Sequence, residues 1–194
     1  MREVVYAAAS AGIVLVEGES DRLAVEAVAE LLDVDLAALG AAVVSMDGVT
    51  NLRHHLAALA RTPSPPRVLG LFDVGEVVHV RRALEGAGLA RPGADLAELG
   101  FFACDPDLEG ELIRALGPAR VEQLLADHGE LARFRGFQRQ PAQRVKAVEV
   151  QLRRFMGTHA GRKARFAPIL VRALDAATVP GPMAALLDAA AGGR

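Results

Sequence analysis

The spacing of apolar residues changes period along this chain. Ile13-Val14-Leu15-Val16 is a short continuous apolar run, the pattern of a strand covered on both faces. Over residues 21–32 the apolar positions Leu23, Val25, Ala27, Val28, Leu31 and Leu32 recur at helical spacing. Ser20 is the expected N-cap, with Asp21 in the first turn. Residues 41–46 read as a second strand. Gly48 then turns the chain into a helix capped by Thr50 or Asn51 and reaching Arg61. Pro63, Pro65 and Pro66 mark a loop. A third strand over 67–72 ends at Asp73, and a helix follows over 77–85. After a glycine-containing loop, a fourth strand covers 99–104, and Asp105-Pro106-Asp107 opens a helix to about residue 116. From Pro118 the period is helical only, over 118–127, 141–156, 164–177 and 181–191. Alternating strands and helices predict an α/β fold with a mostly parallel four-stranded sheet flanked by helices. Residues 1–117 form that unit and 118–194 a helical C-terminal region. In such sheets ligands gather at the carboxyl ends of the strands.

Composition supports a buried core, since 52% of the 194 residues are apolar. No apolar run reaches the roughly 20 residues of a membrane span, and the start of the chain has no signal-peptide pattern. The single cysteine, Cys104, excludes an internal disulfide, which fits a cytoplasmic protein. The net charge of −2 hides a partition. Residues 1–132 hold 10 Lys and Arg against 21 Asp and Glu, whereas residues 133–172 hold 11 against one, Glu149. Such blocks arise as solvated helix faces, as an ion-paired contact between two halves, or as an acidic metal site beside a phosphate-binding surface.

The acids fall repeatedly just after the buried strands. Glu17 follows the first, Asp73 the third, and Asp105, Asp107 and Glu109 the fourth, with Asp21 one turn beyond Glu17. Each alone could be a helix N-cap. Neighbouring strands lie about 4.8 Å apart, so carboxylates at adjacent strand ends can converge. Bare carboxylates that close repel, and some take up protons. Mg²⁺ or Mn²⁺ relieves the repulsion, because hard cations prefer oxygen ligands. Other chemistry is poorly supported. His54 and His55 read as surface residues of a helix, and His79, His128 and His159 form no zinc spacing with Cys104. Cys104 reads as a small buried hydrophobe. Phe134, Phe137, Phe155 and Phe166 lie among arginines, where core packing outweighs base stacking.

Val14-Leu15-Val16-Glu17-Gly18-Glu19-Ser20-Asp21 resembles the opening motif of the Toprim domain, and the OLD-family nucleases are the branch it resembles most. Residues 44–52 resemble that family's second strand and glycine turn. Leu71-Phe72-Asp73-Val74-Gly75 stands in the place of its Asp-x-Asp motif, and Asp107-Leu108-Glu109 resembles its later strand-to-helix motif. Gly161-Arg162-Lys163-Ala164-Arg165-Phe166-Ala167, with Val179-Pro180, is similar to the helical part that delivers a catalytic lysine. The resemblance implies Glu17 as metal ligand or general base, and Asp21, Asp73, Asp107 and Glu109 as metal ligands. It also implies Lys163 as the group that neutralises the scissile phosphate. The basic 133–172 tract, with Arg162, Lys163 and Arg165 in it, is expected to grip nucleic-acid phosphates. The implied activity is Mg²⁺- or Mn²⁺-dependent endonuclease cleavage of DNA ahead of RNA.

Two departures stand out. Gly75 replaces the second acid of Asp-x-Asp, which weakens or removes one metal position. OLD nucleases join Toprim to an ATPase, yet no Gly-x-x-x-x-Gly-Lys-Ser/Thr occurs here. A non-catalytic module binding nucleic acid or a separate ATPase protein is the rival expectation, and a phosphatase of another α/β family a third.

Overall fold

A computed structural model describes residues 11–159 and 161–192. Four strands, β1 (Gly12–Val16), β2 (Ala41–Ser45), β3 (Arg67–Asp73) and β4 (Phe101–Cys104), pair in parallel in the order β2-β1-β3-β4. The chain steps outward from β1 to β2, then crosses back to set β3 on the other side of β1. That reversal opens a crevice at the carboxyl ends of β1 and β3, where α/β sheets bind ligands. Val16 pairs with Leu71, so Glu17 and Asp73 leave neighbouring strands at the same rim.

The helices between the strands are α1 (Glu19–Leu31), α2 (Leu52–Leu59) after a short 3-10 turn, α3 (Val77–Gly86) after another, and α4 (Leu108–Leu116). Beyond them come α5 (Pro118–Asp127), α6 (Leu131–Gln138), α7 (Pro141–Arg144), α8 (Val148–Met156), α9 (Arg162–Val171) and α10 (Gly181–Ala190). Successive side chains of β1 point to opposite faces. Val14 and Val16 pack into one core with α1 and α9, whereas Ile13 and Leu15 pack into another with Leu52, Leu56 and Leu84. Leu152, Phe155, Phe166, Leu170 and Leu186 lie in the same core as Val14 and Val16. The C-terminal helices therefore close one face of the sheet and share its interior.

Several sequence expectations need correction. Helix α1 begins at Glu19, so Ser20 is inside it; the backbone N–H of Gly18 donates to the Asp21 carboxylate at 2.9 Å. The single helix expected over 141–156 is broken between α7 and α8. Buried Gln151 reaches back there, and its Nε2 donates to the carbonyls of Gln143 (2.9 Å) and Lys146 (3.0 Å). The Gln143 carbonyl also accepts from the Lys146 N–H at 2.9 Å, so Gln151 ties the turn between the two helices from the side. Helix α6 was not foreseen, and α9 starts and stops earlier than the apolar spacing suggested. His55, expected at the surface, is buried beside Leu52 and Leu56. Strand β4 starts at Phe101 because Gly100 takes a positive φ of 83°. The four phenylalanines and Cys104 are in the core as expected.

Gly70 sits where β3 meets β4. A Cβ on it would stand 2.5 Å from Cδ1 of Phe101, whose ring is buried. Gly70→Ala is expected to cost about 1–3 kcal/mol through overpacking, read as a lowered midpoint in urea unfolding. An unchanged midpoint would mean that Phe101 moves aside freely.

Candidate functional site

A cleft of about 260 Å³ opens at the carboxyl ends of β1 and β3. Glu17, Asp21, Asp47, Asp73 and Glu109 line it, and Lys163 is the one basic residue among those that do. Sequence segments from β1, the turn after β2, β3, α4 and α9 thus meet at one place. Asp47 was not singled out from the sequence, because Asp47-Gly48 reads as turn chemistry. Its φ of 54° bears this out, and Asn51 Nδ2 fixes the turn by donating to the carbonyls of Met46 (2.9 Å) and Asp47 (3.2 Å).

The acids divide by what they do locally. Asp107 is a helix cap: its Oδ1 accepts from the Gly110 N–H at 2.8 Å, and its Oδ2 lies 3.5 Å from Arg153 Nε. It is not among the residues lining the cleft. Asp73 stands at the N-cap position of the turn after β3 yet makes no capping hydrogen bond. Its carboxylate faces the other acids instead. Burial, then the charges of Glu17, Asp107, Asp21 and Glu109, push its pKa up to about 7. Glu17 is raised by burial and then by Asp21 and Glu76, against the pull of Lys163. Asp21 is raised by burial, against its bond from Gly18.

Lys163 Nζ donates to Glu109 Oε2 at 2.8 Å. Both partners shift upward. Burial dominates at Glu109, whose side chain is 6% exposed, and outweighs the pull of Lys163. At Lys163, 43% exposed, burial works to lower the pKa, but Glu109, with Asp107 and Asp21 behind it, raises it above the usual lysine value.

Among the described residues, no three Asp, Glu, His or Cys side chains stand close enough to hold an ion as they are. Asp21 is turned onto Gly18 and Glu109 onto Lys163. The donor set nonetheless fits a hard divalent cation. It consists of carboxylate oxygens only, and Glu17, Asp21, Asp73 and Glu109 are all driven toward their protonated forms. A divalent cation reverses that drive. Gly75 supplies no carboxylate, and packing does not explain why: nothing lies within 4 Å of where its Cβ would be. Glu76 is engaged with His79 Nδ1 at 3.0 Å.

The expected nucleic-acid residues are placed differently from one another. Arg162 is 7% exposed and belongs to the interior. It donates to the Phe155 carbonyl and Thr158 Oγ1, pairs with Glu130 at 3.0 Å, and lies 3.9 Å over the Phe155 ring. Its expected grip on nucleic acid is therefore withdrawn. Arg162, Phe166 and Leu170 fall four apart on the core side of α9, a spacing visible in the sequence. Arg165 is exposed and donates to the His128 carbonyl at 3.1 Å.

The fold matches that of a Toprim-type domain. Residues 10–70 match the family model described as overcoming lysogenization defect protein-like, TOPRIM domain. The structure is similar to the C-terminal region of the Xanthomonas campestris pv. campestris OLD protein, at 25% identity and a TM-score of 0.69, covering 94% of each chain. It is also similar to the C-terminal region of the Burkholderia pseudomallei OLD protein, at 24% identity and a TM-score of 0.66, covering 94% of this chain and 98% of that one. No curated protein sequence matches the chain. Over residues 10–70 the chain is OLD-like Toprim in sequence, and Toprim domains generally bind divalent metal. No described helix is long and apolar enough to cross a membrane.

A carboxyl whose folded pKa is raised holds its proton more tightly folded than unfolded. The metal-free protein should therefore lose stability as pH rises from about 4 to about 7. Asp73→Asn removes that group's share of the slope, roughly 2 kcal/mol, about half the full linkage because the group is partly open to water. Glu17, Asp21 and Glu109 keep a shallower slope of the same sign. Urea midpoints in chelator at several pH values check it, and parallel curves for both proteins would contradict it. Arg162→Ala leaves Glu130 buried with only Arg133 and Arg165 nearby. It is expected to cost about 3 kcal/mol, measured by the same unfolding.

Proposed function

We propose that this chain is a divalent-metal-dependent nuclease module that hydrolyses a phosphodiester bond of nucleic acid, DNA ahead of RNA. The observation that carries the proposal is the carboxylate cluster at the crevice between β1 and β3, pressed toward protonation and balanced by one lysine. Glu17, Asp73 and Glu109 are the residues that would hold Mg²⁺ or Mn²⁺, with Asp21 and Asp47 beside them. Such an ion supplies Lewis-acid stabilisation of the phosphate oxygens and a lowered pKa for water. Glu17, a carboxylate lining the cleft, is the group assigned to hold the ion or to take the proton of the attacking water. Lys163 is half-exposed beside Glu109 and would neutralise negative charge building on the scissile phosphate. Asp107 contributes by capping the start of α4, and hence fixing the position of Glu109 two residues on.

Charge supports the substrate class. Arg153, Arg154 and Lys163 line a groove that shares Lys163 with the cleft, so a polyanion lying in it would run into the acidic site. Affinity should then fall steeply with salt. The rival reading, a module that binds nucleic acid or a partner ATPase without cutting, is favoured by Gly75 and by the absence of three converging ligands among the described residues. The resemblance to OLD nucleases supplies the ATPase expectation, and the sequence contains no Gly-x-x-x-x-Gly-Lys-Ser/Thr.

Nicking of supercoiled plasmid in Mn²⁺ separates the readings. Wild type should nick, whereas Glu17→Gln and Asp73→Asn should each lose at least about 100-fold in rate, the range for removing a general base or a charge-stabilising group. Equal nicking by all three would assign the activity elsewhere. No nicking by wild type, with binding retained, would favour the non-catalytic module.

A further inference from the structure

A second charged site lies away from the acidic cleft. Glu130, 6% exposed, collects three arginines: Arg133 at 2.6 Å, Arg162 at 3.0 Å and Arg165 at 3.6 Å. One carboxylate cannot neutralise three guanidinium groups, so two positive charges remain unbalanced around it. These four residues, with His159 and Gly161, line a cavity of about 470 Å³, ample for a phosphate group with its hydration.

The arginines have distinct parts. Arg162 is used up inside the fold by the Phe155 carbonyl, Thr158, Glu130 and the Phe155 ring. It fixes Glu130, and Glu130 in turn holds the other two heads. Arg133 and Arg165 have side chains 69% and 51% exposed. Arg133 donates one hydrogen bond, to Glu130, and Arg165 one, to the His128 carbonyl. A guanidinium has five N–H donors in a planar fork suited to phosphate oxygens, so both retain donors for an anion. We propose that this cavity is a phosphate-binding pocket in which Arg133 and Arg165 donate to the phosphate, while Arg162 and Glu130 act as positioning residues that hold their heads in place.

The pocket is connected to the cleft. It shares Arg133, His159 and Arg162 with a neighbouring cavity that reaches Phe137 and Thr158. From those two residues a third cavity continues past Arg153 and Arg154 to Lys163. A strand held at the acidic site can therefore place a phosphate in the arginine pocket. Affinity for phosphate stands by itself; the identity of that phosphate as part of a strand reaching the cleft rests on the nuclease reading.

The test uses the metal-free chain in chelator, so that no cleavage intervenes. Three probes are titrated: inorganic phosphate, and a labelled single-stranded oligonucleotide with either a 5′-phosphate or a 5′-hydroxyl. Arg133→Gln and Arg165→Gln are compared with wild type and with Arg91→Gln, an exposed arginine in the loop after α3, whose neighbour Ala90 packs on the other core from the C-terminal helices. Each pocket variant should lose about tenfold in oligonucleotide affinity, as expected for a charged hydrogen bond, and lower the salt slope by about 0.7. Arg91→Gln should stay within about twofold of wild type. Preference for the 5′-phosphate, or competition by inorganic phosphate, would identify a terminal or free phosphate; equal loss for both oligonucleotides would identify a backbone phosphate. Pocket variants that bind every probe like wild type, or an equal loss in Arg91→Gln, would overturn the proposal. A protein that shows the predicted binding pattern but never nicks plasmid would overturn only the nuclease reading.

Discussion

Parallel pairing of β1 with β3 is the constraint on which the rest depends. It brings Glu17 and Asp73, 56 positions apart in sequence, to neighbouring places on one rim. Neither acid is needed there for stability. Asp73 forgoes the capping bond open to it, and the pKa values of both are raised. A fold that keeps unfavourable charge at a strand end gives up stability locally, as functional sites commonly do. The apolar faces of β1 supply the compensation: Ile13, Val14, Leu15 and Val16 are all buried, alternately in two cores.

The C-terminal helices complete the rim from the opposite direction. Helix α9 packs along α1 and carries two adjacent cations to different ends. Lys163 reaches Glu109 in the cleft, while Arg162 turns inward to Glu130. A step of one residue on a helix rotates the side chain by about 100°, which is enough to separate a site residue from a structural one. The acidic and basic blocks of the sequence therefore meet in two ways. At Glu109 a lysine balances surplus carboxylates; at Glu130 a carboxylate balances surplus arginines.

Much of this was legible in the sequence. The apolar runs marked all four strands, and the acids that follow them marked the rim, because a strand buried on both faces leaves a continuous signal. Strand order was not legible, since any parallel order is compatible with the same runs; the adjacency of β1 and β3 comes from packing. Asp107 and Asp73 looked alike as acids after strands, and only geometry separates the cap from the uncapped carboxylate. Arg162 belongs by composition to the basic tract, but its spacing of four from Phe166 puts it on the core face. The break between α7 and α8 depends on Gln151 bonding two carbonyls, a side-chain contact that apolar periodicity does not report.

Calorimetric titration of Mn²⁺ into the metal-free chain, with Asp73→Asn alongside, examines the cleft directly. The account predicts saturable, stoichiometric binding by wild type, with release of protons near neutral pH as the Asp73 carboxyl gives up the hydrogen it holds there. It predicts that Asp73→Asn loses this binding. Absence of heat in wild type, or binding of equal strength and proton release in both, would contradict it.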